Sequence, residues 1–541
     1  MSSHLEANLS ALASMHPQLA QRLCLPVASA QVRETEGGPE RLHRNGWSRL
    51  RPAPDAVQGF VDSAHQRSSA FSLGLGEGSQ VLALLARRPD VEVSVWDRDP
   101  WLFRRLLTAH PLEQPLATGR LRLLLASDLV DAASTLARAP WVHPTARHQY
   151  AAEVALVEQR ALGAGGQPFA FVLDGGLFVD DLSDALAAQG YRCWPFCADL
   201  FAVEELELQA RTLRPALVAG INYKQGLAPF CEALGVPFFS WEIDPTTDRL
   251  APLDAPAPRA HVFTYREAQV AEFKAAGFPH VEYLPLAANP LRRAPPARTP
   301  EEKATYGVPV AFVGASLRDQ VVRHRATLAR LAPNAPDLDA RLARVLEAQA
   351  RDTSRYLVPE LFAQHLGDLG LAQRAGHTDP VQVVGELAAA DHRLTLIRAL
   401  GSRGVHAWGD EGFAALAGSG ATWRGPAGHV HELNRIYGNA RVNVDIGRLY
   451  QRDIVTMRVF DVLACGGFLL TEWSDALPAL FDVGRELDTF RTADELLAKV
   501  DHYLAHPDEA RAIAERGRAR VLRDHTTQAR VKHMLGALAA S

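Results

Sequence analysis

Apolar residues recur at two different spacings along this chain, and the switches between them mark its elements. In Ala70-Phe-Ser-Leu-Gly74-Leu-Gly76-Glu-Gly78-Ser an apolar run enters a glycine turn, and Gln80-Val-Leu-Ala-Leu-Leu-Ala-Arg continues at helical spacing. Val91-Glu-Val-Ser-Val-Trp96 then alternates as a half-buried strand does and closes on Asp97, with Asp99 just beyond. From Phe169 the pattern resumes: strands over 169–173, 192–196, 216–220 and 238–241 alternate with helices over 178–189 and 204–213. Strands and helices in that rhythm predict parallel, doubly wound sheets, whose ligands sit on the loops that follow the strands.

The stretch Asp453-Ile-Val-Thr-Met-Arg-Val-Phe-Asp-Val-Leu-Ala-Cys-Gly-Gly-Phe-Leu-Leu-Thr471 changes period within itself. Val455, Val459 and Val462 recur at helical spacing, two glycines follow, and Phe468-Leu469-Leu470 reads as a buried strand. Asp453 and Asp461 are a little over two helical turns apart, which places them on nearly one face with Arg458 between them. Carboxylates accept sugar hydroxyls and a guanidinium forks onto phosphate, so this face suits a nucleotide sugar. An ordinary amphipathic helix with solvated charges explains the same residues.

Breaks divide the chain into a helical and loop region at 1–55, a Rossmann-like unit at 56–165, a second α/β series at 166–300 and a third at 301–541. Leu162-Gly-Ala-Gly-Gly-Gln-Pro168 reads as the linker between the first two α/β series, and an Arg- and Ala-rich helical insertion occupies about 318–400. A length of 541 residues demands several cores. A net charge of −5, with no Lys/Arg cluster interleaved with aromatics, argues against a nucleic-acid surface. No apolar run reaches bilayer length and the N-terminus lacks a basic, then apolar, leader, so a cytoplasmic location is expected. Five scattered cysteines suggest neither a disulfide framework nor a zinc site, Cys193 and Cys197 having no second pair or nearby His.

Gly74, Gly76 and Gly78 with Asp97 form a strand, glycine loop, helix, strand and acid, the order in which a loop approaches a nucleoside and an acid accepts ribose hydroxyls. Three readings compete for this unit: methyl transfer from S-adenosylmethionine, dinucleotide binding, and a module for architecture or acceptor recognition. Ser72 stands where such methyltransferases usually place an acid, and the glycine spacing is compressed relative to a dinucleotide fingerprint. The unit is faintly similar to the central domain of the motility accessory factor proteins associated with flagellin glycosylation. In the second series Asp174, Gly175, Gly176, Asn222, Tyr223, Lys224, Trp241 and Asp244 follow or end strands and are expected to line a common crevice.

Phe238-Phe-Ser-Trp-Glu-Ile-Asp244-Pro, His261-Val-Phe-Thr-Tyr-Arg266 and Gly277-Phe-Pro-His-Val-Glu-Tyr-Leu-Pro285-Leu-Ala-Ala-Asn289-Pro, in that order, resemble the N-terminal domain of CgeB-like glycosyltransferases. Val308-Pro-Val-Ala-Phe-Val-Gly314-Ala-Ser316, Val405-His-Ala-Trp-Gly409-Asp410, Leu433 to Asn443, Arg458 to Gly467 and His525-Thr526 continue the likeness into their C-terminal domain, over roughly 170 to 535. Those enzymes have the GT-B fold of two Rossmann-like domains, and the resemblance implies a transferase of that fold. The donor would be a nucleotide-diphosphate sugar. The acceptor would be a protein such as flagellin, a cell-surface glycan or a small molecule. Neither a cofactor nor a metal would be needed, and no Asp-x-Asp motif of the metal-dependent type occurs.

The resemblance also assigns roles. Gly314, Ser316, Gly409, Asp410, Asn443, Arg448, Asp453, Arg458 and Asp461 would hold the donor, with Asp461 on the ribose and both arginines on the diphosphate. Backbone N–H groups at 314–316 and at the helix start near Asp453 would add to anion binding. Related enzymes usually carry Glu where this chain has Asp461, and many carry Glu at the position of Asp453. Asp244 would be the general base if configuration inverts, whereas a retaining reaction needs none. Simpler roles fit the same residues: a solvated loop for Arg448, a strand end for Asn443, and a turn for Trp241 and Asp244. A methyltransferase or a non-catalytic scaffold is the alternative function.

Overall fold

The computed structural model describes residues 3–540 apart from 28–30, 44–45, 137–139, 162–165, 245–249, 354, 375–377 and 430. Most of the expected linker, and Pro245, lie outside the described residues. The chain forms two compact units, Met1–Ile221 with Phe230–Phe238 and Asn222–Pro229 with Phe239–Ser541.

In the first unit, helices Ser3–Met15 and Pro17–Arg22 lead into three antiparallel strands, Val32–Thr35, Gly38–His43 and Gly46–Arg49. The sequence reading expects loop there, because these strands are short, mostly polar and separated by glycine. The helical part is tied down by Asn8, fully buried, which donates to the Leu107 and His110 carbonyls at 2.8 and 2.7 Å and accepts from Leu112 N–H at 2.8 Å. Arg22 reaches Asp128 at 2.8 Å and Glu205 at 2.7 Å. Four parallel strands follow in the order Leu121–Leu125, Glu92–Asp97, Ser69–Leu73, Trp141–Val142. Leu217–Ile221, Phe169–Leu173 and Arg192–Phe196 form a further parallel set in that order.

The second unit contains strand Phe238–Glu242 apart from its first residue, with Ala260–Thr264 and His280–Tyr283 beside it, the last two parallel. Its larger sheet is parallel throughout, in the order Thr422–Trp423, Val405–Trp408, Val310–Val313, Val442–Asp445, Leu469–Glu472, Asp488–Phe490. Counted along the chain this is order 3-2-1-4-5-6, that of a dinucleotide-binding fold. The order reverses between Val310–Val313 and Val442–Asp445, and a crevice opens at the carboxyl ends of strands at such a point. Val310, Phe312, Val405, Val442, Val444 and Leu470 form the core of this sheet against helix Ala493–Ala505. The expected α/β class with doubly wound parallel sheets therefore holds.

The expected insertion is helical: Arg318–Leu331, Leu338–Arg351, Val358–Leu366 and Pro380–Ala399. It has a core of its own, including Leu328, Leu342, Val345, Phe362, Val384 and Leu387. Its last helix is capped by Asp379, which accepts from Val381 N–H at 2.9 Å ahead of Pro380. That helix carries buried residues on all its faces, because it closes the insertion core on one side and packs on the sheet on the other.

Candidate functional site

At the reversal point, strand Val310–Val313 runs into Gly314, where a Cβ would come within 2.6 Å of the Arg458 guanidinium. Only a glycine lets Arg458 lie so close to this turn. Strand Val442–Asp445 ends on a buried acid. Asp445 accepts from Thr456 Oγ1 at 2.7 Å and Thr471 Oγ1 at 3.2 Å, and pairs with Arg458. Helix Met457–Ala464 begins there, so Arg458 stands in its first turn. Burial opposes the charge of Arg458, but Asp445 outweighs it and holds the guanidinium above its ordinary value.

Arg393, from the last helix of the insertion, enters the same place and was not anticipated from the sequence. It is 5% exposed and donates to the Ala315 and Ile446 carbonyls at 2.9 and 3.0 Å, while its Nε has no hydrogen-bond partner among the described residues. Burial, then Arg458 and Arg448, push it down from 12.5 to about 9. It remains charged at neutral pH. Arg393 and Arg458 lie 5.7 and 5.3 Å from the Phe312 ring centroid. Arg448 completes the set, bonding Glu386 at 3.0 Å and the Tyr450 hydroxyl at 2.8 Å. Beside these groups a narrow cleft is lined by Asp445, Gly447, Arg448, Arg452, Thr456, Glu472 and Ser474, among others. Glu472 Oε1 and His392 Nε2 share a hydrogen bond of 2.9 Å, and Glu472 Oε2 is buried with no hydrogen-bond partner among the described residues. Three guanidinium groups thus stand at the carboxyl edge of a parallel sheet, Arg458 paired with Asp445, Arg448 with Glu386, and Arg393 buried and held by carbonyls alone, an arrangement that can receive an anion.

The structure gathers some of the expected donor residues and disperses others. Gly409 backs Gly314, since a Cβ there would meet the Gly314 carbonyl at 2.1 Å. Asp410 accepts from Ser316 N–H at 2.7 Å and also from its hydroxyl, so it ties two loops together. Gly314 N–H goes to the Trp408 carbonyl at 3.0 Å. The N–H groups of Gly314 and Ser316 are therefore taken, contrary to the expectation that they face an anion. Asn443 is buried and donates to the Tyr437 and Phe468 carbonyls, the strand-end role.

Asp453 and Asp461 do not share a helix face. The helix starts at Met457, and Asp453 precedes it in a loop, where it accepts from Arg266 Nε at 2.7 Å. The β-branched run Ile454-Val455-Thr456 resists helix, and Thr456 spends its hydroxyl on Asp445. Asp461 is buried and accepts from Arg293 Nε at 2.9 Å, while Arg293 also bonds the His429 carbonyl at 3.1 Å.

In the same unit, Asp244 is exposed beyond strand Phe238–Glu242 and accepts from Asn222 Nδ2 at 2.8 Å. Asn222 Oδ1 in turn accepts from Ile243 N–H at 2.9 Å, and Asn222 holds φ +57° to do so. Lys224 is half-buried in the same loop. Glu242 was missed. Burial raises it to about 7, and its Oε1 accepts from Tyr223 N–H at 2.9 Å and from the Ser240 hydroxyl. Trp241 is completely buried and donates to the Leu284 carbonyl at 3.4 Å, so it supports the strand and does not line a surface.

In the first unit, Asp174 lies 3.7 Å from Arg98 and accepts from the Cys197 thiol at 3.6 Å, followed by the exposed left-handed Gly175 and Gly176. The glycine loop at 74–78 is filled by the chain itself. A Cβ on Gly74 would strike His143 Cβ at 2.8 Å, one on Gly76 would strike His143 Nε2 and the Leu50 carbonyl at 2.4 Å, and one on Gly78 would strike Leu106 at 2.5 Å. Asp97 is buried, and accepts from Leu75 N–H at 2.8 Å, Tyr150 Oη at 2.8 Å and Asp99 N–H at 3.0 Å. Both of its oxygens are engaged, which leaves the loop without the room and the free acid that a nucleoside requires.

Among the described residues no cluster of His, Cys, Asp and Glu has the arrangement of a metal site, and no helix is long and apolar enough to cross a membrane.

Residues 386–536 match a protein-family model described as glycosyl transferase-like, a span that contains Arg393, Asp445, Arg448 and Arg458. The chain is also similar to solved structures of several proteins. A glycosyltransferase from Rickettsia africae matches at 9% identity and TM-score 0.44, over 69% of this chain and 98% of that one. Anabaena Alr3699/HepE, solved with UDP and glucose, matches at 10% identity and TM-score 0.41, over 70% and 100%. The MAf glycosyltransferase of Magnetospirillum magneticum matches at 14% identity and TM-score 0.20, over 52% and 56%. These scores lie below 0.5, so the reading of the site rests on its own residues and on the family match. No curated protein sequence is significantly similar to this one.

Proposed function

We propose that the protein is a CgeB-like glycosyltransferase of the GT-B type that moves a sugar from a nucleotide-diphosphate donor to an acceptor hydroxyl. One observation carries the proposal: Arg393, Arg448 and Arg458 converge at the reversal point of a parallel sheet, inside the span that matches a glycosyl transferase-like family. The nucleoside diphosphate is the leaving group. As the bond from the anomeric carbon to the diphosphate oxygen breaks, negative charge grows on that oxygen, and fixed guanidinium groups stabilise it. Positive charge fixed in this way can serve in place of a divalent metal. Asp461, within the same helix and through its second oxygen, and Asp453, in the loop before it, would accept donor hydroxyls.

The acceptor hydroxyl attacks the anomeric carbon and loses its proton to a base. Asp244 is the proposed base in an inverting reaction, being exposed at a strand end and oriented by Asn222. The acceptor is a protein or a glycan, and the Rossmann-like module at 56–165 serves its recognition, since its glycine loop is occupied by His143.

The test is nucleotide-induced thermal stabilisation of the full chain. Uridine, guanosine or deoxythymidine diphosphate raises the melting temperature, and Arg458→Ala weakens the nucleotide by roughly 10- to 100-fold, the value of one or two charge-assisted hydrogen bonds. A chain that ignores every nucleoside diphosphate is a scaffold. Transfer itself is read by mass spectrometry with a panel of nucleotide sugars and cell extract as acceptor.

A further inference from the structure

The amino-terminal edge of the same six-stranded sheet, opposite the arginine cluster, carries a second groove. It opens around the residues that precede three strands, namely Gly307, Arg441 and Phe468, and encloses about 1040 Å³ continuous with solvent. Arg298, Lys303, Arg441 and Arg511 line it, and among its described lining residues there is no carboxylate.

Cations collect at helix C-termini for a simpler reason, the negative end of the macrodipole. Helices Pro300–Tyr306, Glu432–Asn439, Met457–Ala464 and Ala493–Ala505 end here, and Arg298 and Arg441 do bond the carbonyls of Gly466 and Leu504. A carbonyl fixes a guanidinium without neutralising it. Lys303 forms no ion pair among the described residues, and Arg511 has only Asp508, at 2.6 Å on an exposed turn. Each helix end offsets about half a charge, and Pro507–Asp524 begins here with the opposite sign, so positive charge stays in excess by roughly one and a half with Asp508 included.

A second, independent observation lies in the wall. Asn439 donates from Nδ2 to the Arg435 carbonyl at 2.8 Å, but its Oδ1 is buried with no hydrogen-bond partner among the described residues. A buried acceptor of this kind calls for an O–H or N–H from a ligand. Behind it, Phe468 and Tyr503 pack with ring centroids 4.3 Å apart and provide an apolar floor. We infer that this groove binds a small phosphate ester bearing free hydroxyl groups, such as a sugar phosphate, at a site separate from the donor cleft. Arg298, Lys303, Arg441 and Arg511 receive the phosphate, and Asn439 Oδ1 accepts a hydroxyl.

Equilibrium dialysis of the full chain against labelled glucose 6-phosphate at low ionic strength tests this, with inorganic phosphate as the comparison ligand. Wild type binds one equivalent at millimolar ligand and prefers the sugar ester. Lys303→Gln with Arg511→Gln, both exposed positions, weakens both ligands at least about tenfold. Asn439→Ala removes the preference for the sugar ester and leaves inorganic phosphate unchanged. Arg458→Ala leaves binding intact. The inference is overturned by an absence of binding to wild type, by unchanged binding in the Lys303→Gln/Arg511→Gln chain, or by loss in Arg458→Ala. Unchanged circular dichroism and melting temperature establish that each variant is folded, and Lys303→Arg, which keeps the charge, retains binding.

Discussion

Arg293 and Asp461 are joined by a hydrogen bond of 2.9 Å across 168 residues of sequence, with side chains 9% and 8% exposed. A buried pair of this kind costs much of its attraction in desolvation, yet breaking it leaves one charge stranded. Asp461→Ala is therefore expected to destabilise the second unit by about 3–5 kcal/mol, and Arg293→Met combined with Asp461→Leu to recover most of it. Denaturant unfolding of the single and double variants measures both. If Asp461→Ala is as stable as wild type, the pair does not hold this region together.

Gly314 makes a second, sharper prediction, because its missing side chain is occupied space. A methyl group there would sit 2.6 Å from an Arg458 nitrogen and 3.3 Å from the Phe312 ring. Gly314→Ala should displace the guanidinium while removing no charge. Nucleoside diphosphate affinity, read by calorimetry, is expected to fall about tenfold with about 1–3 kcal/mol of lost stability. Equal affinity in wild type and variant would mean that Arg458 does not meet the nucleotide.

Arg458 stood out in the sequence because it lies where the hydrophobic period changes, whereas Gly314 and Arg448 were singled out through the family resemblance. Arg393 was not. It occurs within a helix whose buried residues occupy every face, so no periodicity separates it from the insertion around it. Asp445 ends Val442-Asn-Val-Asp445 and reads as the polar partner in an alternating strand, although it is buried on both sides. The glycine loop at 74–78 shows the opposite failure: its strand, turn and helix were correctly anticipated, but sequence spacing does not reveal that His143, from a later strand end, fills it. Local pattern finds the turn, and only tertiary packing decides what enters it.

Glu242 supplies a pH dependence. Burial, opposed by the Ser240 and Tyr223 hydrogen bonds and reinforced by Asp244, raises it from 4.5 to about 7. Both of those bonds reach Oε1, which leaves Oε2 for the proton. The folded state thus binds this proton more tightly than the unfolded state. The stabilisation is full below pH 4.5 and is lost as pH rises through about 7, a change of roughly 3 kcal/mol. Glu242→Gln should flatten the stability profile over that window. A profile with the same slope in wild type and variant would assign the slope to another group.

Gly76 tests the occupied loop. It has φ +57°, and a Cβ would meet both His143 Nε2 and the Leu50 carbonyl at 2.4 Å. Gly76→Ala is expected to cost about 2 kcal/mol or more, because strain and overlap act together. S-adenosylmethionine should produce no thermal shift in the wild-type chain. A clear shift, abolished by Asp97→Asn, would restore a nucleoside-binding role to this module.

Arg393 separates stability from binding. It stands in the field of two other arginines, it has lost its hydration, and its Nε has no partner among the described residues. Such a charge is unfavourable in the unliganded chain and becomes favourable when an anion arrives. Arg393→Met keeps the length and apolar stem of the side chain and removes the charge. The unliganded variant is expected to be as stable as wild type or more stable, by up to about 2 kcal/mol. Its affinity for nucleoside diphosphate should nevertheless fall about tenfold or more. The two effects have opposite signs, which a purely structural arginine does not produce, since losing its bonds to the Ala315 and Ile446 carbonyls would lower stability and leave any anion unaffected. Thermal melts with and without nucleotide read both quantities from one protein preparation. A lower melting temperature without nucleotide, with an undiminished nucleotide shift, would identify Arg393 as a strut between two loops and would leave Arg448 and Arg458 alone to meet the diphosphate.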